Sequence, residues 1–391
     1  MLSVAKHVQG VRASGIRKFF DIVAEMTDVI SLGVGEPDFA TPWNMREACI
    51  WSLEKGHTNY TSNWGMLELR ELICQHLERL YGVSYSPANQ VLVTVGVSEA
   101  LDLVFRAILD PGDEVVIFDP CYVSYGPCVS FSHGVPVHVP TTVEQGFVPT
   151  PEQFRAAITP RTKAVLVAFP SNPTGAVADR ETLQKIVDIA READIFVVSD
   201  EIYDRLVYRA PHVCVAALDG AYDRTILLGG FSKSYAMTGL RIGYAAGPAD
   251  VIEAMMKIHQ YVTLCAPITA QKAAIEALRD GEDSVREMRD EYNRRRRLIV
   301  KRFNDCGMPC MDPGGAFYAF PSVKDFGLSS EEFAERLLYE KRVVVVPGSA
   351  FGECGEGYVR ASYATAIDRI EEAASRIADF VKSLPRAVAV G

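Results

Sequence analysis

Between residues 91 and 246 the chain alternates short apolar runs with segments of helical period, a pattern that few folds accommodate. The runs fall at 91–95, 114–118, 135–139, 163–168, 195–199, 225–228 and 242–246. Each is too short for a helix of its own, and turn-forming residues separate them. Strand–helix alternation of this kind predicts an α/β protein with a mainly parallel, seven-stranded sheet covered by helices. Ligands of such sheets bind beyond the carboxyl ends of the strands. The polar residues just after each run are therefore the ones to inspect.

The pattern changes on either side of this region. Residues 1–28 read as an arm and a first helix, 29–32 as a short strand, and 42–55 as a helix. Leu67, Leu69, Leu72, Ile73, Leu77 and Leu80 then recur at helical spacing. After residue 249, helices are expected over 249–260, 268–279, 284–305 and 367–384, with strands at 314–320, 343–346 and 358–362. The division expected is a large domain over 46–285, with 1–45 and 286–391 forming the arm and a smaller α+β domain from both chain ends.

The net charge of −10 over 391 residues weighs against nucleic acid as a partner, because phosphate binding needs a basic surface. Apolar runs such as 164–169 are too short to span a bilayer, so no membrane partner is expected. The first residues lack the continuous apolar segment of a signal peptide, and a cytoplasmic location is expected. The nine cysteines are scattered. Cys306 and Cys310 have no companion pair, so reduced, mostly buried thiols are expected and no metal site. Arg294 to Arg297 follow Asp290 and Glu291 by four residues, which predicts an ion-paired, solvated helix face.

Residues 229–243 hold one lysine, Lys233, in a glycine-flanked turn between two apolar runs, with Arg241 eight residues on. A lysine in such a place is costly unless its amine is neutralised, paired or used covalently. A desolvated lysine near other cations can form a Schiff base with a carbonyl compound. Other run ends supply further chemistry. Gly96-Val97-Ser98 follows the first run at a helix start, a ready anion site. Pro120-Cys121-Tyr122 places an aromatic at the same rim. Pro170, Pro173 and Gly175 stiffen a loop that presents Asn172. The run 195–199 ends in Asp200-Glu201-Ile202-Tyr203. Gly33-Val34-Gly35 lacks the third glycine of a dinucleotide fingerprint. An anion cradle, an aromatic plate, an amide, a carboxylate, a phenol, a lysine and an arginine together fit pyridoxal 5'-phosphate.

With Gly35-Glu36-Pro37-Asp38-Phe39, Ser171 to Gly175, Asp200 to Tyr203, Ser232-Lys233 with Arg241, and Tyr358-Val359-Arg360 in order, the chain resembles the class I/II aminotransferases, fold-type I pyridoxal-phosphate enzymes. The resemblance implies that Lys233 is the Schiff-base lysine and proton shuttle, and that Asp200 pairs with the ring nitrogen. It implies Tyr203 and Asn172 on the ring oxygen and Tyr122 on the ring face. Gly96, Val97, Ser98, Ser232 and Arg241 would hold the phosphate, and Tyr60 would reach the phosphate of a neighbouring subunit in a homodimer with shared sites. Arg360 would fork onto the substrate α-carboxylate beside Asn172 and the Gly35 backbone. Many relatives carry serine where this chain has Gly230.

The implied reaction is ping-pong transfer of an amino group from an L-α-amino acid to a 2-oxo acid, 2-oxoglutarate being the expected acceptor. The alternative on the same scaffold is a β-lyase acting on a carbon–sulfur bond. Ser14 to Arg17 and His259 to Tyr261 are similar to the subgroup handling aspartate, aromatic amino acids or acylated diaminopimelate. Phe19, Phe20, Tyr122, Phe317 and Tyr318 could line an apolar pocket or belong to the core.

Overall fold

A computed structural model describes residues 3–11 and 26–385. The segments 12–25 and 386–391, which include Ser14 to Arg17 and the Phe19 and Phe20 pair, lie outside the described residues. In chain order the strands are β1 (Ile30–Ser31), β2 (Val91–Thr94), β3 (Glu114–Asp119), β4 (Val135–Pro140), β5 (Thr162–Val167), β6 (Phe196–Asp200), β7 (Thr225–Gly230), β8 (Gly243–Ala246), β9 (Tyr318–Ala319), β10 (Val343–Val344), β11 (Val346–Pro347) and β12 (Val359–Ser362).

The seven strands expected from the sequence form one sheet in the order β2-β8-β7-β6-β5-β3-β4. β4, β3, β5, β6 and β7 run parallel, and β8 is antiparallel to both β7 and β2. The reversal at β8 has a local cause. Residues 231–242 make the lysine turn instead of a crossover helix, so the chain can only return antiparallel. Helices cover both faces, which is why β2 is buried at every position and β3, β5 and β7 at nearly every one. Val91, Val93, Val116, Val165 and Val197 are fully buried, and each contributes about 1.5–3 kcal/mol relative to exposure. The edge strand β4 has three of its six residues exposed and carries Pro136 and Pro140, which suit an edge because they donate no ladder bond.

The covering helices follow their caps. Asp179 accepts from Thr182 N at 2.7 Å and starts the helix Arg180–Glu192. That helix buries Leu183, Ile186, Val187 and Ala190 against the sheet. Gly96 to Ser98, expected at a helix start, are the first residues of the helix Gly96–Ile108.

The smaller α+β part is built from both chain ends. β1 pairs in parallel with β10, and β9, β12 and β11 form an antiparallel sheet. The helices Glu282–Asp305, Ser330–Lys341 and Ile367–Ser383 pack around a core that includes Tyr292, Phe303, Phe317, Phe333 and Phe380. Residue 285, the expected boundary, falls in the first turn of the helix Glu282–Asp305.

Some expectations need correction. The run 343–346 is two strands in different sheets. Of 314–320 only Tyr318–Ala319 is strand. Gly314 and Gly315 lie too close to Val177 and Pro170 for any side chain, with added Cβ atoms 2.3 and 2.5 Å from them. The helix Ser330–Lys341 was not anticipated, although Ser329 and Glu332 form a capping box at its start. Two of the four arginines at 294–297 are not solvated. Arg295 is buried against Asp38 and Glu291, and Arg296 against Asp312 and Asn293. All nine cysteines are free, but only Cys74, Cys121 and Cys214 are buried.

Candidate active site

The carboxyl ends of β5, β6 and β7 open into a cavity of about 670 Å³, closed on the far side by residues of the smaller part. All the cofactor and substrate residues expected from the sequence line it except Gly96 and Tyr60. Gly96 lies directly behind Arg241: its φ is +72°, and an added Cβ would sit 2.8 Å from Arg241 Nη2. Tyr60 is 81% exposed and outside the cavity of its own chain.

Asp200 is the last residue of β6 and is buried. Its Oδ2 accepts from Tyr125 Oη at 2.8 Å and its Oδ1 from Ile202 N at 3.2 Å. Burial pushes the carboxyl up to about 6, while the Tyr125 bond works the other way. A carboxylate held there stands ready for a cation. Lys233, one turn past β7, donates from Nζ to Gly35 O at 2.7 Å. Burial pushes its ammonium down to about 8; Glu36 opposes this, and Arg360 and Arg241 reinforce it. About a tenth of this amine is therefore neutral and nucleophilic at pH 7, far more than for an ordinary lysine.

Gly175 closes the loop after β5, where its φ of +69° and an added Cβ 2.5 Å from Pro313 require glycine. That loop presents Asn172, whose Oδ1 accepts from Arg360 Nη1 at 2.8 Å. Arg360, on β12, also donates from Nη2 to Gly33 O at 2.6 Å, and its guanidinium stands 4.5 and 4.9 Å from the rings of Tyr318 and Phe351. Its Nε is buried without a partner. The strap of residues 33–38 is thus tied down by Arg360, by Lys233, by Thr238 donating to Glu36, and by Arg295 pairing with Asp38.

At the opposite end, Gly243 lets the first turn of the helix Gly96–Ile108 approach. An added Cβ there would be 2.8 Å from Val97 N. Ser98, Ser232 and the exposed Arg241 complete this end. Gly230 also has a steric reason: an added Cβ would meet Val97 at 3.0 Å and Ile202 at 3.1 Å. A serine there would need these neighbours to shift.

Sequence reasoning missed Tyr125, Glu36 and Thr238, which also line the cavity. Glu36 was adjacent to a residue already singled out. Tyr125 stands three residues after Tyr122, and the two rings meet edge to face at 5.5 Å. Phe317 and Tyr318 prove to be core residues, with Tyr318 reaching the cavity as well.

The residues fit pyridoxal phosphate on their own chemistry. A helix N-terminus with an arginine and serines suits a phosphate. A buried carboxylate suits a protonated ring nitrogen, and a lysine whose ammonium is pushed down by burial suits an aldehyde.

Residues 27–377 match the family described as Aminotransferase class I and II. The chain is 45% identical over 379 residues to an aspartate aminotransferase of Pyrococcus abyssi, covering 96% of this chain and 97% of that one. It is 44% identical over 384 residues to aromatic-amino-acid aminotransferase 2 of Thermococcus litoralis, covering 97% and 99%. Its fold superposes on that of an aspartate aminotransferase from Thermus thermophilus solved with maleate, with a TM-score of 0.93 at 40% identity, covering 97% and 100%. The chain belongs to the class I and II aminotransferases and is a pyridoxal-phosphate-dependent enzyme of that family.

Proposed function

We propose that this aminotransferase moves the amino group of an L-α-amino acid to a 2-oxo acid, with 2-oxoglutarate as acceptor and Lys233 as the residue that binds the cofactor and carries the proton. When bound, pyridoxal phosphate supplies an aldehyde for amine exchange and a ring that takes up the electron pair released at the substrate Cα.

Asp200 would hold the ring nitrogen and keep it protonated. Tyr203 and Asn172 hold the ring oxygen, and Tyr122 covers the ring face. Gly96, Val97, Ser98, Ser232 and Arg241 hold the phosphate. Arg360 grips the α-carboxylate beside Asn172 and the Gly35 backbone, a two-pronged contact that fixes orientation as well as affinity. Lys233 would hold the cofactor's aldehyde, and its free amine would accept the Cα proton. The single observation that carries this reading is the convergence of Lys233, held down to about 8, with Asp200, held up to about 6, in one cavity that Arg360 closes.

The working form is a homodimer. Trp43, Trp51, Leu53, Tyr60 and Tyr261 are large apolar residues left exposed on one chain. A second copy covers them, and Tyr60 then reaches the neighbour's phosphate end. The chain divides near residues 46 and 285 into a large cofactor-binding domain and a small one, and it works in the cytoplasm.

Aspartate, aromatic amino acids and acylated diaminopimelate are the donors to test first. With purified enzyme, each donor and 2-oxoglutarate should give glutamate in step with donor consumed, without ammonia. Ammonia and pyruvate released from a sulfur amino acid without any acceptor would favour the β-lyase instead.

A further inference from the structure

Tyr318 touches three of the groups assigned above without a task of its own. It lies on β9, with Ser362 of β12 as its cross-strand partner, and is 1% exposed. The Arg360 guanidinium rests 4.5 Å from its ring centroid. Its hydroxyl is 2.7 Å from that of Tyr203, and the two rings meet edge to face with centroids 5.8 Å apart. An added Cβ on Gly35 would lie 2.3 Å from Tyr318 Oη. The strap whose carbonyl accepts from Lys233 therefore passes directly over the same hydroxyl.

Each phenol has one proton, so one member of the pair donates and the other accepts. Burial pushes both phenols up, but Arg360 pulls Tyr318 back and ranks lower among the influences on Tyr203. A cation against a ring face draws electron density from it and makes the O–H a better donor. The ring–guanidinium contact favours Tyr318 as donor and Tyr203 as acceptor, an arrangement that would leave the Tyr203 proton free to point into the cavity.

We propose that Tyr318 is a positioning residue: its hydroxyl turns the Tyr203 proton toward the cofactor's ring oxygen, while its ring seats the Arg360 guanidinium. One side chain thus aligns the two ends of the site. This rests on the assignment of Tyr203 to the ring oxygen.

The lysine-bound cofactor changes its visible absorbance as its nitrogen loses a proton. A donor on the ring oxygen stabilises the negative charge there and holds the pH midpoint of that change down. Glu36, Asp200, Arg241 and Arg360 face the Lys233 nitrogen, and Tyr318, Arg360 and Asp200 face Tyr203. All except the residue replaced are kept in the following variants. Tyr203→Phe should raise the midpoint by about one pH unit, and Tyr318→Phe by about half a unit, as the loss of a direct and an indirect hydrogen bond. The double variant should match Tyr203→Phe alone. In Tyr318→Phe the ring stays under Arg360, so kcat should fall several-fold while KM for an α-amino acid stays near its wild-type value. Tyr318→Leu should in addition raise KM by about fivefold through loss of the ring–guanidinium contact.

Should Tyr318→Phe fail to fold, 3,5-difluorotyrosine at position 318 keeps the shape and donates more strongly, so the midpoint should move down. A wild-type midpoint with altered Tyr318, beside a shifted one in Tyr203→Phe, would overturn the proposal and leave the cofactor assignment standing. No shift in Tyr203→Phe would overturn the ring-oxygen assignment and the proposal with it.

Discussion

Arg241 and Arg360 stand at opposite ends of the cavity and are built in different ways. Arg241 is exposed, takes a left-handed backbone with φ +55°, and donates to Thr238 O at 3.1 Å. Arg360 is 3% exposed, carries two hydrogen bonds to protein oxygens, and lies between two rings. The contrast matches how long each ligand stays. On the proposed function Lys233 would retain the cofactor covalently, and the phosphate itself would complete the Arg241 end. Substrates come and go at every turnover, and for them ordering a side chain afresh would cost about 0.5–1.5 kcal/mol each time. The Arg360 end is ordered in advance by folding.

The comparison can be broken most severely through the residue between the two ends. Asp200→Ala should remove about 3 kcal/mol or more of transition-state stabilisation, since a preorganised charge facing the ring is lost. Near-normal kcat/KM would sever Asp200 from the cofactor. Arg360→Lys comes next. It should cost about 2–3 kcal/mol in kcat/KM for every α-amino acid, because a point charge cannot copy two parallel bonds. The loss should largely vanish for the corresponding amines lacking the carboxylate, with cofactor affinity unchanged. An unchanged ratio between acid and amine would mean that Arg360 only joins parts of the fold. Arg241→Lys should do the reverse at smaller cost: cofactor dissociation about tenfold easier, with KM restored at saturating pyridoxal phosphate.

The smallest effect is on stability and has a sign of its own. Asp200 titrates higher in the folded protein than its ordinary value of 3.8, up to about 6, because of burial. The folded state therefore holds a proton that the unfolded chain has released, and stability falls as pH rises through that window. Cofactor-free Asp200→Asn should melt above wild type at neutral pH, with the gap closing as pH falls below the ordinary carboxylate value. A melting temperature below wild type at neutral pH would show that Asp200 is not strained by burial.

What was legible in the sequence and what was not follows the same divide. Asp200, Asn172, Lys233 and Arg241 are each fixed by a stiff turn at a strand end, so their spacing along the chain reports their place. Arg360 entered through a motif, but its partners did not. Gly33 lies 327 residues away and Asn172 lies 188 away, and no local pattern encodes such pairings. Tyr318 read equally well as pocket or core because it is both. Tyr125 was passed over because its bond to Asp200 spans 75 residues. The sheet was readable because buried parallel strands are continuously apolar. The small strands β9 to β11 were blurred because two-residue strands carry no alternation to count.

The claim on which the rest depends is that Lys233 is the residue that takes up the cofactor. Borohydride reduction of the loaded enzyme, followed by proteolysis and mass spectrometry, should place the pyridoxyl mass on the peptide containing Lys233 and on no other. Lys233→Ala should carry no covalent label and lose the visible absorbance of the bound cofactor. Label on a different lysine, or a Lys233→Ala protein that keeps both label and activity, would contradict the account.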